Sequence, residues 1–285
     1  MSTAVLPPSD DWIFKLLFGD ERNKSILISL LQSFLDLPQE EYELSFIDTH
    51  LKRGGKGEKM GILDIKVRTK TGKVIDIEIQ VNPTTNIGKR LSFYKSKLIA
   101  DQIGKSEHYT KIQRVICVCI TNHTLFRDVP GYLNKFRFCN LENRLCFEDI
   151  PEEIYTLELP KLPSESDGTA LWEWLWFLRC RAKEEFEMVA TRNPEIRKAV
   201  EILYELSADE KVRAQYEHNM KAWRDYMSEH DGAFENGMER GMEKGMEKGV
   251  KQVAVNALAE GMSIEFIQKI TGLGVEDIAK LKASL

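Results

Sequence analysis

Two carboxylates a hairpin apart are the residues of this sequence best suited to chemistry. Asp64 lies in GILDIKVRT (61–69) and Glu78 in KVIDIEIQV (73–81). Between them Lys70-Thr71-Gly72-Lys73 signals a tight turn. Side chains alternate along a strand. Leu63, Ile65 and Val67 therefore share one face of the first segment, and Asp64, Lys66 and Arg68 the other. In the second, Ile75, Ile77, Ile79 and Val81 oppose Asp76, Glu78 and Gln80. Folded as a hairpin, the segments set a carboxylate on one strand against a carboxylate on its neighbour. Unpaired, two such anions repel, and one tends to stay protonated. A hard cation removes that cost. Mg2+ is commonly held by one or two carboxylates with water and phosphate oxygens, and a metal so held generates hydroxide and polarises a phosphoryl oxygen. The same alternation describes any strand with one solvated face, so the pattern alone leaves both readings open.

The surroundings of the pair are basic. The chain of 285 residues carries a net charge of −5, which taken alone disfavours nucleic acid. Yet residues 50–111 hold fourteen Lys or Arg against six Asp or Glu, so that segment is +8 and the remainder −13. A basic segment on an acidic chain suggests a localised face for anions; the alternative is charge that only solvates loops.

Other catalytic sets are thin. The five histidines lack the spacing of a zinc protease, and no Gly-x-Ser-x-Gly elbow or Walker loop is present. The run GGKG at 54–57 is too short for a phosphate loop. The five cysteines (117, 119, 139, 146 and 180) have no CxxC spacing and read as buried, reduced thiols. With 42% hydrophobic and 30% charged residues the balance is that of a globular protein of about two domains. No apolar run approaches the roughly 20 residues of a membrane span, and the first residues show no signal-peptide pattern.

The elements that would position the carboxylates follow from periodicity. Residues 10–36 read as helical with a break near Gly19-Asp20, Asp10 or Asp11 as cap and Pro38 as stop. A strand is expected over 43–51 and a basic glycine-rich loop over 51–59. After the hairpin, a helix over about 86–103 carries Lys89, Arg90, Tyr94 and Lys97. RVICVCIT (114–121) is nearly all apolar and suits a strand buried on both faces. Residues 136–150 read as a hairpin and 154–159 as a last strand. The order predicts an α/β mixed sheet flanked by helices, with a core over 10–160. A linker over 161–169, a helical extension over 170–232 and an all-α C-terminal region follow.

The tail repeats. Gly237, Gly241, Gly245 and Gly249 recur every four residues with Met238, Met242 and Met246 beside them. Such a ridge over 233–252 reads either as a helix–helix contact or as a marginal charged linker, since each glycine costs up to ~1 kcal/mol of helix propensity. Residues 253–285 read as three short helices separated at Gly261 and Thr271-Gly272, a helix-turn-helix or dimerisation module.

Several stretches together resemble a known family. They are DDWIFKLLFGDERNKSILISLLQSFL, GILDIKVRTKTGKVIDIEIQV and RLSFYKSKLIADQIGKSEHYTKIQRVICVCIT, followed by the Gly-x-x-x-Gly tail and AEGMSIEFIQKITGL. They are similar to the Rpn family of recombination-promoting nucleases and transposases, within the PD-(D/E)XK nuclease superfamily. The resemblance implies a restriction-endonuclease-like fold and a metal-dependent DNA endonuclease of the bacterial cytoplasm. DNA would be its partner and Mg2+ its cofactor, with Mn2+ or Ca2+ as substitutes. Asp64 matches the aspartate of the signature and Glu78 its second acid, both as metal ligands. Asp11 is the candidate acid from the first helix, with Glu21 second. Arg90 and Tyr94 resemble a pair that supports the site in some members, and residues four apart share a helix face. Leu63 stands where the signature has proline. Gln80 stands where it has lysine, so the missing positive charge must come from Lys66, Lys15 or Arg90. Lys97 is a further candidate for DNA contact.

Three functions compete on this evidence. The first is an endonuclease acting in recombination, transposition or defence against foreign DNA. The second is a DNA-binding module that no longer cuts. The third is an interaction protein that oligomerises through its C-terminal helices.

Overall fold

A computed structural model describes residues 4–50, 63–81 and 86–283, without the side chains of 230, 231 and 233–235. The expected basic loop over 51–59 lies outside the described residues.

Asp10 caps α1 (Asp11–Phe18), its carboxylate accepting the backbone N–H groups of Trp12 and Ile13. Capping thus falls to Asp10 and leaves the Asp11 side chain on the helix surface. The chain breaks at Gly19, makes a short 3-10 turn over Glu21–Asn23 and continues as α2 (Lys24–Gln32). The strand expected over 43–51 is only β1 (Ser45–Phe46) among the described residues.

The hairpin forms as β2 (Ile65–Arg68) and β3 (Val74–Gln80), antiparallel, with Ile65 opposite Ile77 and Lys66 opposite Asp76. Gly72 closes its turn at φ 97°, a conformation that favours glycine. Next come α3 (Ile87–Ala100), β4 (Val115–Thr121), β5 (Leu133–Phe136) and β6 (Glu152–Glu158). The six strands are ordered β1-β2-β3-β4-β6-β5, with β4 parallel to both neighbours and antiparallel pairs at the flanks. Every residue of β4 is buried, as its unbroken apolar run predicted.

The sheet has two faces. One carries Ile75, Ile77, Ile79, Ile116, Val118, Ile120 and Leu157 into the main core. Facing them are α1, α2 and three helices after the sheet: α4 (Ala170–Arg179), α5 (Lys183–Ala190) and α6 (Pro194–Ala208). Trp174 is fully buried there and stands 5.8 Å from the Phe18 ring. The other face carries Val74, Val115 and Cys117 beneath Tyr94 and Leu98 of α3. Helix α3 is thus the roof over the polar face of the hairpin.

Two expectations are corrected. Leu63 does not share a face with Ile65 and Val67: the chain bends at Asp64, extended geometry begins at Ile65, and Leu63 packs under α3. The cysteines are not all free thiols. Cys117, Cys119 and Cys180 are buried and reduced, but Cys139 and Cys146 face each other across an antiparallel bridge and form a disulfide.

The chain divides into two compact units, 1–216 and 217–285. Helix α7 (Glu210–Ala259) contains the glycine repeat, and apart from the helix's own backbone no described atom lies within 4 Å of where a Cβ would stand at Gly237, Gly241, Gly245 or Gly249. Helices α8 (Ile264–Thr271) and α9 (Val275–Ala283) follow. Ser263 caps α8, and Gly272 ends it at φ 73°. Ala254, Ala257, Ile267 and Ile278 form the small core of this unit.

Candidate active site

The bend at Asp64 places its carboxylate against the middle of β3. Its Oδ2 accepts the Ile79 backbone N–H at 2.9 Å, and Oε1 of Glu78 accepts the Asp64 N–H at 3.1 Å. Each acid thus grips the other's strand, and the hairpin register holds the two carboxylates side by side. Both side chains are buried, Asp64 at 6% and Glu78 at 1% exposure. The reading of this face as a solvated one fails for that reason: α3 and the neighbouring strands cover it.

Two cations answer the pair from opposite layers. Nζ of Lys15 on α1 lies 2.9 Å from Asp64 Oδ1 and 3.0 Å from Asp11, spanning the two acids. Asp11 and Lys15 are one helical turn apart, which puts them on the same face of α1. From α3, Arg90 Nη2 donates to Glu78 Oε2 at 2.8 Å and Nη1 to Gln80 Oε1 at 3.1 Å. Its Nε donates to the Tyr94 hydroxyl at 3.0 Å. The Gln80 amide nitrogen donates to the Ile79 carbonyl, so both ends of that side chain are engaged.

These cations do not cancel the cost of burial. Burial and then the Asp11 charge push the Asp64 carboxyl up to about 6, against the pull of Lys15. Burial and the Asp64 charge push Glu78 up to about 7, against the pull of Arg90. Burial works against the Lys15 charge too, but Asp64 and Asp11 hold its ammonium above the usual lysine value. The structure therefore keeps two anions in a place where their charge is expensive, which is the signature of a site built for something else.

One residue was missed. Asp76, two positions before Glu78 on the same face of β3, is fully buried. Neither of its carboxyl oxygens has a conventional hydrogen-bond partner, and the thiol of Cys117 faces it across the β3–β4 ladder. Burial, then Glu78 and Asp64, hold its carboxyl well above the usual range, so it is a neutral acid under the site. The period of two that paired Glu78 with Gln80 also contained Asp76.

The structure brings Asp11, Lys15, Asp64, Glu78, Gln80, Arg90 and Tyr94 together. It does not bring Lys66, whose Nζ donates to the Asp48 carbonyl at 3.2 Å and stands across β2–β3 from Asp76. Lys97 lies in the last turn of α3, about two turns beyond Arg90. Glu21 pairs with Lys24 rather than with the carboxylates.

Among the described residues no cluster of three or more His, Cys, Asp or Glu is set to hold a metal. The donor set nevertheless fits a small hard cation. Asp64 and Glu78 supply adjacent anionic oxygens, Mg2+ needs only one or two carboxylates, and a divalent charge would offset the burial cost, and then the repulsion, that raise both groups.

A mixed sheet whose antiparallel hairpin presents paired carboxylates beneath a helix bearing Arg and Tyr defines a nuclease-like α/β core. The family model for PD-(D/E)XK nuclease family transposases matches residues 8–233, and the chain belongs to that family. No curated protein and no solved structure matches the chain.

Proposed function

We propose that the chain is a metal-dependent DNA endonuclease that hydrolyses phosphodiester bonds, with Asp64 and Glu78 as the metal ligands. The observation that supports it most is the facing pair of buried carboxylates whose pKa values the fold raises to about 6 and 7. Mg2+ is the proposed ion, with Mn2+ or Ca2+ able to take its place. When bound, it supplies an activated water and polarises a phosphoryl oxygen.

The remaining roles belong to side chains. Arg90, held by Glu78, Gln80 and Tyr94, presents a fixed planar cation where negative charge builds on the phosphoryl oxygens. Lys15 takes the place of the lysine that Gln80 replaces, reaching the pair from α1. Asp11 sets the position of that ammonium and is the third acid at the rim. Gln80 orients Arg90 by accepting a hydrogen bond from its Nη1. Lys66 and Lys97 are assigned to contacts with the DNA backbone. Recombination, transposition and defence against foreign DNA all use this chemistry, and the bacterial cytoplasm is the proposed compartment.

The C-terminal unit is proposed to oligomerise. Phe266 and Ile270, one turn apart on α8, are both nearly half exposed, which supports an apolar partner face there.

Calorimetric titration of Mg2+ and Mn2+ into the metal-free protein tests the ligand assignment. Binding by the wild type that is lost in Asp64→Asn and Glu78→Gln is the expected result. Equal binding by all three proteins would remove the assignment. A non-cutting DNA-binding module is the second reading, favoured by the fact that Lys15 and Arg90 already occupy carboxylate oxygens. Salt-sensitive DNA binding that is indifferent to metal, with no nicking, would select it.

A further inference from the structure

Among the described residues of the 1–216 unit, exposed large apolar side chains concentrate on the arm that β5 extends beyond the sheet. Phe147 donates its N–H to the Phe138 carbonyl and Asn140 donates to Leu145, on either side of the Cys139–Cys146 bridge. The register fixes two faces. Phe136, Phe138, Leu145 and Phe147 line one. Arg137, Glu148 and the disulfide line the other. Leu141 caps the tip. Phe138 is 56% exposed, Phe147 69%, Leu145 71% and Leu141 93%.

This face is continuous with the sheet. Phe136 sits opposite Ile154 and closes an apolar groove with Ile87 and Leu91 of α3, on the flank of the helix that carries Arg90. The exposed side chains of the arm amount to on the order of 500 Å2 of apolar area. That lies in the upper part of the roughly 300–600 Å2 range of the largest patch on a monomer, which is often a functional surface. It is most of the roughly 800 Å2 each partner contributes to a stable complex.

The charges argue against DNA as the cover. Between Leu133 and Asp149 there are three basic residues (Lys135, Arg137, Arg144) and three acidic ones (Glu142, Glu148, Asp149). Arg137 is paired with Glu153 at 3.1 Å and with Glu148 at 3.5 Å, and Lys95 at the adjoining groove is paired with Glu152. Such a surface offers no surplus cation for phosphate. An apolar patch of balanced charge is complementary to itself, as a two-fold contact requires.

We infer that the arm is a homodimer interface, on which a second copy of this chain seats its own arm face to face. The interface is separate from the proposed C-terminal contact and does not depend on the nuclease reading.

Sedimentation velocity on the full chain tests it, comparing wild type with Phe138→Asp/Phe147→Asp. The expected result is a wild-type assembly whose mass falls by half in the variant, with an unchanged far-UV circular dichroism spectrum. A variant of wild-type mass, or a wild type that is monomeric at tens of micromolar, overturns the inference. So does a variant that keeps its mass but loses DNA binding, which would reassign the arm to nucleic acid. Should the double variant not fold, a benzophenone amino acid at position 145 decides. Irradiation is expected to give a cross-linked dimer through the arm, and its absence overturns the proposal.

Discussion

Replacing Asp64 by asparagine should stabilise the metal-free protein at alkaline pH while destroying its function. The Asp64 carboxyl is held at about 6 against an ordinary 3.8. A group whose folded pKa is raised contributes stability that is intact below the unfolded value and lost as pH rises through the folded one. For Asp64 the window runs from about pH 4 to above pH 6. The shift of ~2 units corresponds to about 3 kcal/mol at pH 8. An amide escapes this loss, and its oxygen still accepts the Ile79 N–H. The pull of Lys15 is already contained in that net shift, and Lys15 keeps Asp11 at 3.0 Å as its partner in the variant. The gain is therefore about 3 kcal/mol at pH 8, or roughly 9 °C in Tm for a unit of this size. Thermal unfolding in EDTA, followed by tryptophan fluorescence, reads it, since Trp12, Trp172, Trp174 and Trp176 all lie in the 1–216 unit. Asp64→Asn should melt higher than wild type at pH 8 and within a degree of it at pH 3.5. A variant that melts at or below the wild type at both pH values would refute the argument that the site stores electrostatic cost.

Arg90→Ala should act in the opposite sense. Removing the guanidinium lets the Glu78 carboxyl rise above about 7, so the variant should lose about 1 kcal/mol more at pH 8 than at pH 5, measured by denaturant unfolding at both pH values. An equal loss at the two pH values would show that Arg90 acts by packing alone. Gln80→Lys, which restores the signature lysine, should lower activity at least tenfold, because the new ammonium would stand where Arg90 Nη1 now donates at 3.1 Å. A gain in cleavage rate over wild type would show that Lys15 and Arg90 do not make up for that lysine.

The parts of the fold that were legible in the sequence are those fixed by local period. The hairpin followed from alternation around a tight turn, and β4 from an unbroken apolar run that only a strand covered on both faces explains. Arg90 and Tyr94 were legible as an i, i+4 pair. What the sequence hid depends on what lies above a residue. Alternation put Asp76, Glu78 and Gln80 on one face, but only the placement of α3 decides that this face is dry. It therefore decides that the carboxylates are raised and that Asp76 is neutral. The choice among Lys15, Lys66 and Arg90 was hidden for the same reason. Lys66 shares the strand with Asp64, yet the bend at Asp64 turns the two apart, and the nearer ammonium arrives from α1 through tertiary packing. The disulfide between Cys139 and Cys146 depends on the register of the arm, which an odd cysteine count does not reveal.

Cleavage of supercoiled plasmid tests the central claim most directly. Wild type, Asp64→Asn and Glu78→Gln would be incubated with Mg2+, with Mn2+ and with EDTA, each variant first shown to be folded by circular dichroism. The account predicts nicked and linear product with wild type and metal alone, none in EDTA, and a loss of at least a thousandfold in both variants. Equal cutting by a folded Asp64→Asn protein, or cutting by wild type that EDTA does not stop, would contradict it.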